Sequence, residues 1–452
     1  MMSHFNLISI GGDAAGMGAA SQARRIDRDI SIAVFEKNEF VSYAACGMPY
    51  YISDVIKDYK SLLAIDKDEF INKRKILINT FSEVTEVSFS SKSHKVKNNG
   101  ATDTHTWDRL VIATGASAAT PPIPGIESEG VFVLRTLRHG LDIKDFITGK
   151  HPDSVILIGG GVISLELAES FIKSGLKVTI IEKMNSVAAL MSPEIRNLIA
   201  EQMKNKGAEI ITSADISEIK REGGRLSVVT GEGTYSSSFI IVSTGAKPST
   251  AFLNGSPLAF HKSGAIITDE CSRTNIPDVY AAGDCATVKN LITGEDDYMP
   301  LATTANKQGR VAGLQAAGVK TERFRGAIGS QMIKVCDLEI AKTGFNRADA
   351  ERHGIDVIDD FIEWKSRAGY FPGSDAIYVK LTVRTDSRRV IGGEIAGKDG
   401  AALRINTIAA AVTAGMTVED LAYLDTAYSP PFSPVWDPVI AAAQGFIKRV
   451  KL

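Results

Sequence analysis

One cysteine, Cys46, stands in the run VSYAACGMPYY at residues 41–51 among small residues, and no second cysteine lies near it. A thiolate in such a place can attack a sulfur, and its oxidised form must then be capped from outside by another thiol or by oxygen. The alternative is a buried, inert thiol. The other three cysteines, Cys271, Cys285 and Cys336, are far apart, with no CxxC and no Cys/His cluster of zinc spacing. That pattern argues against a structural metal and against a disulfide framework, and suits a reducing, cytoplasmic setting. Two carboxylates have a second kind of chemistry open to them. Glu36 and Glu182 each end an apolar strand that follows a glycine turn, where an acidic side chain can accept hydrogen bonds from ribose hydroxyls.

The elements that must position these groups are legible nearby. FNLISIGGDAAGMGAASQARR reads as a strand, a turn and a helix of small residues. Its turn keeps Gly11 and Gly16 of GxGxxG, with Asp13 in the middle place. SVILIGGGVISLELAESFIKSGLKVTIIEK repeats the arrangement with Gly159 and Gly161, Ser164 taking the third place. Each helix start would hold a pyrophosphate on its backbone N–H groups. Either turn alone is a weak signal with an ordinary strand–helix turn as its alternative; both together, each with its strand, helix and acid, predict two dinucleotide sites. Glu182 favours NADH over NADPH, and the neighbouring Lys183 leaves NADPH open. LVIATGA, with Thr114 and Gly115, and IIVSTGA, with Gly245, are strands running into Thr-Gly turns. DVYAAGDCA places Asp284 after Gly283 at a strand end, either to bind a ribityl hydroxyl or to cap a helix. Chain length suggests about three domains. The formal net charge of −2 excludes a field for nucleic acid or anionic membrane, which leaves a small-molecule partner. Residues 1–20 lack a secretory pattern, and no apolar run is long enough to span a bilayer.

In order and in motif the chain resembles the pyridine nucleotide-disulfide oxidoreductase family of FAD flavoproteins, over essentially its whole length. The resemblance implies an α/β protein with two Rossmann-like dinucleotide-binding domains, for FAD and NAD, and a C-terminal α/β dimerisation domain. It implies a discontinuous FAD domain at 1–118 and 245–325, an NAD(P)H domain at 119–244 and a dimerisation domain at 326–452, the subunits forming a homodimer. TPPIPG (120–125) and TGAKPST (244–250) fall where the crossings should be, and AIYVKLTVRTDSRRVIGGEIAGKDG shows strand alternation before an Ala-rich helix. Cofactor contacts are implied at Gly11, Gly16, Glu36, Lys37, Thr114, Gly115, Gly159, Gly161, Glu182, Gly245, Gly283, Asp284 and Ala302.

Family members that reduce glutathione or lipoamide carry CxxxxC, and here the second place is Tyr51. Ser42-Tyr43-x-x-Cys46-Gly-x-Pro-Tyr is similar to the single-cysteine branch, which reduces coenzyme A disulfide or persulfide, oxygen or peroxide. Cys46 would lie at the start of a helix over PYYISDVI, whose dipole favours the thiolate. Peroxidases of the branch place a histidine where this chain has Ala14, which counts against peroxide. A coenzyme A substrate needs cations for its phosphates, and the resemblance points to Gln22, Arg25, Ser42 and Arg74. Gln22 and Arg25 are three apart on one helical face, where Arg forks suit phosphate; a solvated basic helix end is the alternative. Tyr370, in AGYFPGS, and Tyr428, in DTAYSPPFSPVWDPV, resemble tyrosines that reach the partner subunit's active site, where a phenol can protonate a leaving thiolate. The implied activity is NAD(P)H-dependent reduction of coenzyme A disulfide or persulfide through FAD and Cys46. NADH oxidase is the rival, NADH peroxidase the weaker one, and no metal is expected.

Overall fold

The computed structural model describes residues 2–98 and 100–449, which form two compact units. The first comprises residues up to 119, residues 134–145 and residues 245–327. Its sheet begins with β1 (Met2–Ile10), β2 (Ile32–Phe35) and β3 (Leu77–Asn79), and continues with β4 (Ser82–Ser88), β5 (Ser93–Asn98) and β6 (Ala101–Ile112). Strand order is β3-β2-β1-β6-β5-β4, with Val279–Ala281 pairing on the C-terminal half of β6. β3, β2, β1, β6 and Val279–Ala281 are parallel, and β4–β5–β6 is an antiparallel meander. β2 is buried on both faces, as expected of a parallel strand covered by helices.

Helix α1 (Ala14–Ile26) covers this sheet together with the helix Ala302–Ala316. The two touch backbone to backbone. A Cβ on Gly309 would lie 2.4 Å from the carbonyl oxygen of Ala15, and one on Gly313 2.3 Å from that of Ala19, so only glycine permits the approach.

The second unit comprises residues 120–133, 146–244 and 328 onward. It holds a five-stranded parallel sheet in the order Glu209–Ile211, Lys177–Ile181, Ser154–Ile158, Phe239–Val242, Val131–Val133, and a three-stranded antiparallel sheet over 216–237. It also holds the C-terminal antiparallel sheet, ordered Gln331–Val335, Leu338–Gly344, Val390–Gly397, Ala376–Arg384, Val357–Lys365, packed against the helices Ile405–Ala414 and Pro438–Arg449. Three sheet systems thus fall into two compact units, because buried polar bonds join the C-terminal sheet to the parallel-sheet layer. Ser192 N–H donates to both carboxylate oxygens of Glu394 (3.1 and 3.0 Å), and Lys342 Nζ donates to Leu190 O (2.7 Å). Lys380 Nζ pairs with Glu194 (2.8 Å) and Asp359 (2.9 Å). The chain passes between units at 119/120, 244/245 and 327/328, with 134–145 returning to the first. Among the described residues no helix is long and apolar enough to cross a membrane.

Candidate active site

Cys46 is exposed, whereas Cys271, Cys285 and Cys336 are buried, and no disulfide joins the four. Burial pushes the thiols of Cys271 and Cys285 up and that of Cys336 to about 11, which keeps them protonated and inert. Cys46 lies in a 3-10 turn, Ala45–Gly47, that leads into α2 (Met48–Ile52). The expected helix over PYYISDVI is therefore corrected to five residues. Its run ends where Asp54 takes a left-handed conformation (φ 63°) and Lys144 donates to Ile52 O (3.1 Å) and pairs with Asp54 (2.6 Å). So short a helix lends Cys46 little dipole.

The cysteine segment is stitched to the first glycine turn. Ser42 N–H donates to Gly12 O (2.9 Å), and Tyr43 N–H donates to Asp13 Oδ1 (3.1 Å). Ala44 N–H donates to Leu62 O (2.7 Å) and Ala64 N–H to Ser42 O (2.8 Å). Asp13 is thus the N-cap residue of α1 in position only; its carboxylate serves the cysteine segment. Burial and the nearby Glu36 raise its carboxyl to about 7.

In that turn Gly11 has φ 108°, and a Cβ there would lie 2.1 Å from Ala113 O; at Gly16 it would lie 2.0 Å from Gly11 O. Glu36 Oε2 accepts Gly12 N–H (2.8 Å), and Lys37 beside it is exposed. Thr114 and Gly115 follow β6, the Thr114 hydroxyl being buried and Gly115 having open space where a side chain would stand. Gly245 is equally open. Asp284 lies in a turn after Gly283 rather than at a helix start, so the N-cap alternative is set aside. Its carboxylate pairs with Arg135 (2.5 Å), and Gly283 N–H is held by Gln308 Oε1 (3.0 Å). Ala302 begins the helix that carries Gln308.

Arg25 on α1 and Arg74 beyond it both bond to side chains of α1. Arg25 donates to Gln22 Oε1 (3.3 Å), and Arg74 donates to Ser21 Oγ (3.0 Å) while pairing with Glu69 (2.7 Å).

In the second unit the other glycine turn repeats the first. Gly159 has φ 100° with a Cβ position 2.6 Å from Ser243 O, and Glu182 Oε2 accepts Gly160 N–H (2.5 Å). Gly161 has open space at its Cβ position. Ser164 does more than fill the third glycine place, since its hydroxyl lies 2.6 Å from that of Ser243. Tyr370 and Tyr428 are brought together, their hydroxyl oxygens 3.5 Å apart, and both are exposed. The packing-corner alternative for Tyr428 does not describe a ring that is 44% exposed.

The model of the pyridine nucleotide-disulphide oxidoreductase family matches residues 5–309, and that of its dimerisation domain residues 330–438. The chain belongs to this family. An NAD(P)H coenzyme A polysulfide/persulfide reductase of Pyrococcus horikoshii is 36% identical over 97% of both chains. A coenzyme A disulfide reductase of Staphylococcus epidermidis is 30% identical over 94% of this chain and 96% of its own. Among solved structures, an NAD-dependent persulfide reductase from A. fulgidus superposes with a TM-score of 0.94 at 36% identity, covering 99% of this chain and 83% of that one. The α/β class expected from the sequence is the one found, with sheets of Rossmann type in each unit.

Membership of the pyridine nucleotide-disulphide oxidoreductases makes the protein a flavoprotein enzyme of FAD and NAD(P)H, and the first unit's residues fit a dinucleotide. Gly11 and Gly16 let the first turn pack tightly against Ala113 and on itself, Gly115 after β6 leaves open space where a side chain would stand, and the Tyr298 hydroxyl is buried without a hydrogen-bond partner. Reading the sequence missed Arg135, Tyr298 and Gln308. Arg135 stands 149 residues from Asp284, and no local pattern connects them. Among the described residues no group of three or more His, Cys, Asp or Glu could hold a metal ion.

Proposed function

We propose that the protein uses NADH to reduce a disulfide or persulfide of coenzyme A, with Cys46 as the sulfur nucleophile. The observation that carries this reading is the exposed Cys46 on a segment hydrogen-bonded to the first glycine turn, with the other three cysteines buried. A sulfur so held has its exchange partner in solution. The Cys46 thiolate attacks one substrate sulfur, forming a mixed disulfide and releasing coenzyme A thiolate, or hydrosulfide from a persulfide; the leaving sulfur takes a proton. FAD, when bound, would supply the two reducing equivalents from NADH that return the mixed disulfide to the Cys46 thiolate and the second thiol. Gly11, Gly16, Glu36, Lys37, Thr114, Gly115, Gly245, Gly283, Asp284 and Ala302 hold the flavin nucleotide; Gly159, Gly161 and Glu182 hold NADH, with NADPH the lesser donor. Gln22, Arg25, Ser42 and Arg74 hold the substrate. Tyr370 and Tyr428 of the partner subunit orient the leaving sulfur and protonate it.

The reading includes a homodimer in the cytoplasm, with an FAD domain at 1–118 and 245–325, an NAD(P)H domain at 119–244 and a dimerisation domain at 326–452. Support for the dimer comes from the matched dimerisation domain and from exposed Tyr423, Phe432, Val435 and Trp436.

NADH consumption is measured with coenzyme A disulfide or persulfide under argon, and with air alone. Turnover that requires the thiol substrate, and falls at least about 10³-fold in Cys46→Ser, is the expected result. The same protein denatured without reductant should carry a coenzyme A increment on the Cys46 peptide. Consumption that needs only oxygen and ignores both substrates overturns the reading in favour of an oxidase.

A further inference from the structure

The segment that follows Glu182 is gripped by a row of buried charges. Lys342, Glu394 and Lys380 stand side by side on three neighbouring strands of the C-terminal sheet, Lys342 opposite Glu394 and Glu394 opposite Lys380. They are 6%, 1% and 5% exposed. Each reaches residues 190–194. Lys342 Nζ donates to Leu190 O (2.7 Å), where Asn346 Nδ2 joins it (3.1 Å). Glu394 accepts the Ser192 N–H (3.1 and 3.0 Å), the Ser192 hydroxyl and Asn346 Nδ2 (3.2 Å), and Lys380 pairs with Glu194 (2.8 Å). Burying three charges costs more than burying apolar side chains of the same volume, so holding two layers together does not account for the row. What a polar row adds is bonds aimed at single backbone atoms. Residues 182–192 need them, since they form neither helix nor strand.

The other end of this segment lies on the second glycine turn. Met184 N–H donates to Glu182 Oε1 (2.7 Å) and Ala188 N–H to Gly160 O (2.8 Å), and a Cβ on Gly160 would lie 2.8 Å from Val187 Cγ1. Ala188 is left-handed (φ 51°), a conformation that a residue other than glycine keeps only where its surroundings hold it. The side chains of Met184 and Leu190 are exposed, so they do not anchor the segment; the bonds to Leu190 O and Ser192 N–H do.

We propose that Lys342, Asn346 and Glu394 are positioning residues for the pyridine nucleotide: by fixing residues 190–192 they seat Val187 and Ala188 on the glycine turn and so set the affinity for the adenosine half of NADH. The inference rests on the reading that Gly159, Gly161 and Glu182 hold NADH, and not on the identity of the thiol substrate. The three residues act through the segment, so affinity depends on them and the hydride step does not.

The test compares holoenzyme of the wild type, Lys342→Met, Ser192→Ala and Ser192→Thr at matched flavin content. Lys342→Met keeps the buried stem and deletes the bond to Leu190; Ser192→Ala deletes the hydroxyl bond to Glu394, and Ser192→Thr restores it. Flavin reduction is followed by stopped flow with NADH and with reduced nicotinamide mononucleotide, which lacks the adenosine half. The NADH concentration for half-maximal reduction should rise about tenfold in Lys342→Met and about threefold in Ser192→Ala, at an unchanged limiting rate, while the mononucleotide reacts as with the wild type. ADP-ribose titrated calorimetrically should lose affinity by the same factors, and Ser192→Thr should recover it. Equal losses with NADH and the mononucleotide, ADP-ribose affinity unchanged in a folded Lys342→Met or Ser192→Ala protein, or no ADP-ribose binding by the wild type overturns the proposal. Should Lys342→Met fail to fold, the two Ser192 variants decide alone. If the wild-type protein reduces neither coenzyme A disulfide nor persulfide, the functional reading fails by itself; the ADP-ribose titration needs no thiol substrate and still decides whether the row positions the nucleotide.

Discussion

Glu36 and Glu182 make the same pair of bonds in two different units, and that repetition says what the carboxylates do. Glu36 accepts Gly12 N–H (2.8 Å) through one oxygen and Asn38 N–H (2.8 Å) through the other; Glu182 accepts Gly160 N–H (2.5 Å) and Met184 N–H (2.7 Å). Each acid pins its glycine turn to the end of the next strand and keeps its charge at the strand tip. On the proposed reading, Glu182 faces the nucleotide's ribose, where its charge would repel a 2′-phosphate and welcome a 2′-hydroxyl. Lys183 beside it pairs with Asp215 (2.9 Å), but both side chains are more than three-quarters exposed, so that pair holds the lysine only weakly. The expected outcome is a kcat/KM for NADH at least about tenfold above that for NADPH, a difference of about 1.4 kcal/mol. Glu182→Gln, which preserves the shape and removes the charge, should narrow that ratio, while Lys183→Ala should widen it; steady-state kinetics with both nucleotides measure the two. A ratio that Glu182→Gln leaves unchanged would show that the carboxylate braces the turn and does not select the nucleotide.

At the scale of elements, the two tyrosines sit on loops joined by a backbone bond, Ala368 N–H to Pro430 O (3.4 Å), and by the side chain of Arg404. Arg404 Nε pairs with Asp437 (2.9 Å), and its Nη2 donates to Ser366 O (2.9 Å) and Phe432 O (2.7 Å). Ser366 leads into the Tyr370 loop and Phe432 closes the Tyr428 loop, so Arg404 helps hold the two loops whose phenols lie 3.5 Å apart. That shared hydrogen bond raises the phenol of Tyr428. Arg404→Met retains the aliphatic packing and deletes the tie. The variant should reduce coenzyme A disulfide about tenfold to a hundredfold more slowly, yet reduce ferricyanide with NADH at the wild-type rate, because the second reaction needs only the flavin. Parallel losses in both assays would mean that the arginine supports the whole domain. AGYFPGS and DTAYSPPFSPVWDPV are recognisable as separate stretches, but the bonds that join them, from Arg404 and from Ala368 to Pro430, carry no motif. Strand, turn, helix and acid run from Met2 to Glu36 and from Ser154 to Glu182 and announce themselves through spacing; a tie between residues 366, 404 and 432 exists only after the chain has folded.

The same limit applies to the whole molecule, where distant sequence decides what is buried together. The two glycine turns, Cys46 and the C-terminal strands could be placed from local pattern, whereas the bonds from Ser192 to Glu394, 202 residues apart, could not. Nor could the polarity of the first unit's interior. His94 on β5 is 1% exposed and packs edge-on against Phe35 (4.9 Å between ring centres), with His105 5.6 Å away; neither nitrogen of the His94 ring has a hydrogen-bond partner. Burial, with His105 adding to it, lowers the His94 imidazole from 6.5 to about 4. The unfolded chain therefore binds a proton below pH 6.5 that the folded unit refuses until pH falls to about 4. Stability is lost as pH falls through that window, by about 3 kcal/mol for a group this deeply buried, and none is lost to His94 at neutral pH. His94→Phe removes the titrating group and keeps an aromatic ring against Phe35. Urea unfolding followed by release of flavin fluorescence reports on the first unit, where Asp13, whose raised carboxyl holds its proton more tightly folded than unfolded, works in the opposite direction to His94 over the same pH range. The pH dependence of the midpoint between 6.5 and 4 should therefore differ between wild type and His94→Phe by nearly one proton, the wild type losing more stability, or gaining less, as pH falls. Because the comparison is between slopes, any constant change in packing from the larger ring cancels. Parallel curves for the two proteins would mean that His94 is protonated in the folded state without cost, and that the acid sensitivity of the unit comes from its carboxylates.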